Sequence, residues 1–188
     1  MASSTNRDLT FCIMASGPSM CQADADLIRE WRDGITRRVI VINNTYQLAP
    51  WADVLYACDL RWWNKYYKEA KKKCAGQFWT YNQDAAVNYK INRWTPKPTG
   101  GNSGYQALRL AVDHFKANRV ILVGFDMQGG HWHPQHGDHW PNPKEENLRQ
   151  WRAWLAKYQP ENVEIINATR ETALTCYPQK QLEKVLTA

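Results

Sequence analysis

Residues 119–126 read RVILVGFD. The run is short, rich in β-branched residues and closed by a glycine. A strand with one wet face would alternate polar and apolar side chains, and this one does not. It therefore reads as a strand buried on both faces, the kind found in a parallel sheet covered by helices. Similar stretches recur. Residues 9–15 (LTFCIMA) run apolar into the turn SGPS, and 38–43 (RVIVIN) repeat the β-branched pattern. Residues 53–58 (DVLYAC), 77–81 (QFWTY) and 163–167 (VEIIN) complete the set of predicted strands.

Between them lie stretches with helical spacing. Residues 21–33 place Leu27, Ile28 and Trp31 on one face. Residues 60–73 put aromatics on one side and lysines on the other, and 101–117 open with glycines before Leu108, Ala111, Val112 and Phe115. Residues 144–157 carry Leu148, Trp151, Trp154 and Leu155, and a short helix is expected over 178–186. The polar stretch 82–101 reads as an irregular loop. This alternation predicts an α/β chain, with residues 1–188 forming a single Rossmann-like domain whose mostly parallel sheet has helices on both faces. Residues 1–8 are expected to be flexible, and 127–143 to form a histidine-rich lid.

With 188 residues, 44% of them hydrophobic, the chain is long enough for one sizeable core. The net charge of +6 admits acidic partners such as nucleic acid or phosphate-bearing small molecules. The densest basic run, Lys65–Lys73, reads first as a solvated helix face, so nucleic acid is kept only as a secondary partner. Five cysteines without a CxxC pair fit free thiols in a reducing compartment. The polar start MASSTNRDLT lacks an apolar signal core, and no run of ~18 apolar residues is present. A cytoplasmic protein without a membrane partner is the expectation. The aromatics Trp62, Trp63, Tyr66 and Tyr67 suggest a homo-oligomer interface if they are exposed.

Open parallel sheets bind ligands beyond the carboxyl ends of their strands. Here those ends carry Ser16, Gly17, Pro18 and Ser19, then Asn43 and Asn44, then Asp59, then Asp126. Asn102, Ser103 and Gly104 open the helix before the long strand. Each alone is an ordinary turn or cap residue. Gathered at one end of one sheet, they point to a nucleotide or nucleotide-sugar site, because small residues let backbone amides approach a phosphate. Neither a GxGxxG fingerprint nor a P-loop is present.

An apolar strand into SGPS, then VINN, a strand ending in CD, GGNSG opening a helix, and VILVGFD together resemble the bacterial sialyltransferase-like fold. That fold is shared more loosely by the archaeal 6-hydroxymethyl-dihydropterin pyrophosphokinases and by small phage proteins, which would place this chain in a host cytoplasm. The resemblance implies that Ser16–Ser19 contact a nucleotide, that Asn43 lies near its phosphate, and that Asn102, Ser103 and Gly104 hold phosphate or sugar. It implies that Asp126 closes the site and that a histidine after the long strand serves as general base, a window holding His136 and His139. The turn before Gly17 is Met14-Ala15-Ser16 rather than glycine-rich, and the acceptor region after the long strand is short.

Residues 129–140, GGHWHPQHGDHW, hold every histidine of the chain except His114. Three readings compete. One imidazole could take a hydroxyl proton, with Asp138 or Asp126 orienting it. His131, His133 and Asp138 could wrap a metal ion, although no zinc signature is matched. The stretch could also be a plain polar lid. A Mg²⁺ ion bridging phosphates through Asp126 or Asp59 is the cofactor this chemistry would use. The expected function is a nucleotide-dependent, glycosyltransferase-like enzyme. The alternatives are a Mg²⁺-dependent pyrophosphokinase or nucleotide hydrolase, and a nucleotide-sequestering protein without turnover.

Overall fold

The computed structural model describes residues 8–134 and 143–187. Strand β1 (Thr10–Met14) sits inside a seven-stranded, all-parallel sheet. On one side it pairs with β2 (Arg37–Ile42), followed by β3 (Val54–Tyr56), β4 (Gln77–Thr80) and β5 (Asn92–Arg93). On its other side lie β6 (Arg119–Val123) and β7 (Glu164–Asn167). The chain thus walks outward from β1, returns, and walks the other way. The expected Rossmann-like α/β architecture is present, and the sheet is parallel throughout.

Because crossovers between parallel strands are almost always right-handed, the reversal at β1 puts the helices of the two halves on opposite faces. The strand pleat sorts the core accordingly. Cys12 and Met14 of β1 face α1 (Gln22–Trp31), α2 (Leu60–Lys73), α3 (Gln83–Tyr89) and α6 (Leu182–Leu186), where Ile28, Trp62, Trp63 and Val185 are buried. Phe11 and Ile13 face α4 (Ser103–Arg109) and α5 (Glu145–Lys157), with Leu108 and Leu155 buried against them. A π turn, Leu110–His114, prolongs α4 toward β6.

Two expectations change. Residues 82–101 are not irregular throughout, because they contain α3 and β5. α3 starts at Asn82, whose side chain accepts from the Ala85 amide, and it was masked in the sequence because Ala85 is its only fully buried residue. Of the aromatics proposed as an interface, Trp62 and Trp63 are core, and Tyr66 and Tyr67 are half-buried and pack against it. Trp62 is 1% exposed and Trp63 is fully buried, and their indole N–H groups donate to Asn44 Oδ1 and the Ala57 carbonyl. Among the described residues, no helix is long and apolar enough to cross a membrane.

Candidate functional site

The crevice where β1 and β6 diverge is built by close backbone approach. Gly124 ends β6 at φ +73°, and a side chain there would press on the Ala15 carbonyl at 2.6 Å. Gly17 donates its amide to the Gly124 carbonyl. A Cβ at Gly17 would lie 2.0 Å from Asp126 Oδ2. The chain can therefore turn out of β1 against β6 only with glycine at these two places.

A cleft of about 400 Å³ opens at this end of the sheet. One side is polar and made of small residues: Ser16 and Gly17 after β1, Asn43 after β2, and Asn102, Ser103 and Gly104 at the start of α4. Asp59 contributes one exposed carboxylate at the head of α2. The other side carries the apolar Leu148 and Trp151 of α5, Met127 and Pro143, together with the polar Gln128 and Asn147. No lysine or arginine is among the described lining residues.

The polar side is internally braced. Ser103 Oγ accepts from the Cys58 amide at 3.1 Å and donates to Asn43 Oδ1 at 3.4 Å, so it ties the ends of β2 and β3 to α4. Asn43 holds a left-handed backbone at φ +49°, which asparagine tolerates better than most residues. Asn102 caps α4, its Oδ1 accepting from the Tyr105 amide at 2.8 Å. That bond fixes which end of the amide is which. Its buried Nδ2 has no partner among the described residues. A buried donor left unpaired costs about 1–3 kcal/mol, so an acceptor brought to this side chain would recover part of that cost.

Not every predicted residue reaches the cleft. Pro18 is exposed, and Ser19 borders a second cleft with Asp24, Thr169 and Arg170. Asn44 is spent on Trp62. Asp126 does not line the cleft either, and this corrects its expected place among the reacting groups. It is 1% exposed beneath the Gly17–Ser19 turn, where Oδ1 accepts from the Ser19 amide at 2.8 Å. Burial pushes its carboxyl above the usual carboxylate range. The β6 pleat and the Gly124 turn send this side chain inward.

The loop after β6 folds back on the β1 turn. The Trp132 amide donates to the Ser16 carbonyl, and its indole N–H donates to Thr45 Oγ1. This brings His131 to the cleft, with Nδ1 3.2 Å from both the Ser16 carbonyl and Ser16 Oγ. A carbonyl only accepts, so the tautomer with its proton on Nδ1 fits the contact with the Ser16 carbonyl. Burial lowers the His131 pKa below the ordinary imidazole value, which keeps the ring neutral at pH 7. His133 stacks on it at 5.0 Å between ring centroids, the planes 8° apart. From the sequence alone His131 is a candidate metal ligand rather than a lining residue of the polar cleft. The signal for the cleft was its position directly after the glycine pair Gly129–Gly130, in the loop that follows β6.

His136, Asp138 and His139 lie outside the described residues. Among the described residues, no group of three or more His, Cys, Asp or Glu is arranged to hold a metal ion. Asp59 is the one predicted Mg²⁺ carboxylate that reaches the cleft, and an ion held there would complete its coordination from phosphate and water.

No family model, curated protein or solved structure matches the chain.

Proposed function

We propose that the cleft binds a nucleotide-activated donor and that the protein transfers the donated group to a hydroxyl. The observation that carries this reading is the division of the cleft. An unpartnered Asn102 donor stands among small polar residues on one side, and on the other Trp151 and Leu148 offer apolar surface beside Asn147. A nucleotide is a ligand of this shape, with oxygens at one end and a flat ring at the other. The resemblance in strand-end motifs to the sialyltransferase-like fold supports glycosyl transfer as the form of the reaction.

His131 is the described histidine suited to general base. Its Nε2 would take the acceptor's proton as the acceptor oxygen attacks the donor carbon, and the bond from that carbon to the leaving phosphate breaks with its electron pair. Asn102 would steady the departing oxygen. The cleft carries no cationic side chain among its described lining residues, so a monophosphate leaving group needs less charge compensation here than a triphosphate would. That favours transfer over a pyrophosphokinase.

The test is a thermal-shift series against CMP, CDP, UDP, GDP, ADP and ATP, each with and without Mg²⁺. A ligand at 100 times its Kd adds about 2.7 kcal/mol of apparent stability. One preferred nucleotide is expected, and its shift should vanish in Asn102→Asp. A flat series would overturn the reading.

A further inference from the structure

α2 carries a feature that the cleft does not use. Its exposed positions Arg61, Lys65, Lys68 and Lys72 follow the steps i, i+4, i+7 and i+11. At 3.6 residues per turn these four fall within about 60° of arc, and at 1.5 Å per residue they span about 16 Å along the axis. They form a stripe one cation wide. Glu69 is the only acidic residue of α2, and it pairs with Lys73 at 2.7 Å, off the stripe. Among the described residues, no carboxylate forms an ion pair with Arg61, Lys68 or Lys72.

Cations at the end of a helix are explained by the helix dipole, and Lys71, Lys72 and Lys73 satisfy it. Arg61 lies in the first turn of the helix, where the dipole disfavours positive charge. Like charges three and four residues apart also repel. The stripe therefore costs the isolated fold stability, and a partner of opposite charge would offset that cost.

We infer that the α2 stripe docks the phosphate backbone of single-stranded nucleic acid. A row one cation wide, with steps of about 4.5–6 Å, follows one strand of phosphates better than a plane of headgroups. A membrane-lying helix would also turn apolar residues outward, whereas Trp62, Trp63 and Ala70 of α2 are buried in the core. This surface is separate from the cleft and does not depend on the nucleotide reading.

The experiment is fluorescence anisotropy of the whole chain with a labelled 20-nucleotide single-stranded DNA of mixed sequence. If all four cations neutralise phosphates, affinity should fall about 50-fold between 50 and 200 mM salt. The variant Lys65→Glu/Lys68→Glu/Lys72→Glu should bind at least tenfold more weakly, with the slope of log K against log salt reduced by about 2. A charge-matched control, Arg149→Glu/Lys157→Glu/Lys184→Glu, replaces exposed residues elsewhere and should keep most of the affinity. Circular dichroism melts establish that both variants fold. Absence of binding at 50 mM salt, equal losses in the two variants, or binding to phosphatidylserine vesicles but not to DNA would each overturn the inference.

Discussion

Gly17 and Asn102 concentrate what single residues do in this cleft. Gly17→Ala would drive a methyl into the Asp126 carboxylate and the Gly124 carbonyl, at 2.0 and 2.5 Å from ideal geometry. Neither neighbour is the loose end of a flexible chain, so the turn itself must move. Overpacking of this kind costs about 1–3 kcal/mol or more, and urea denaturation should show a loss in that range. Asn102 separates two roles in one side chain. Asn102→Ala removes the cap and should cost about 1 kcal/mol of stability. Asn102→Asp keeps an oxygen for the Tyr105 amide but loses Nδ2, so it should keep most of the stability while losing nucleotide affinity. If it binds nucleotide as well as the parent, the orphan donor is not the ligand contact. The sequence made both residues legible as turn and cap chemistry. It did not show that Asp126 turns beneath Gly17, because that depends on which way the side chain leaves a strand end.

At the scale of elements, α2 was read with its observed bounds because its apolar period is strong. The same period misled about its partner. A helical stripe shows which side is apolar, not whether that side meets core or another protomer. The structure decides for core through Asn44, whose carbonyl accepts from Trp62 Nε1 at 2.7 Å. Trp62→Phe keeps a ring but leaves the buried Asn44 oxygen without this donor. A loss of about 1–3 kcal/mol is expected in denaturant titrations, with the oligomeric state unchanged by sedimentation. α3 and β5 were illegible for the opposite reason. They bury little, and both residues of β5 are exposed, so no period stands out over 82–101. The α5 wall was read as an amphipathic helix. That its Leu148 and Trp151 face a cleft while Leu155 faces the sheet is visible only once the helix is placed.

Over the whole molecule, the site belongs to both halves of the sheet. β1, β2 and β3 supply the polar turns, and the loop after β6 lays His131 and Trp132 across them. Protonation in that loop therefore acts on the fold as a unit. Burial pushes the pKa values of His131 and His133 below their ordinary level. A depressed folded-state pKa contributes stability above the unfolded value of about 6.5. That contribution is lost as pH falls toward the folded value, because the unfolded chain takes up protons that the folded one resists. Asp126 acts in the other sense. Its raised pKa contributes fully below the unfolded value of about 3.9 and is lost as pH rises through the folded value. Comparing variants at fixed pH values removes this opposing background. The unfolding free energy of the parent, relative to that of His131→Gln, should be smaller at pH 5.5 than at pH 7.5. If the difference between the two chains is the same at both pH values, burial of His131 is not what couples the loop to the fold. His131 would then be too well solvated to stay neutral in acid and act there as a base.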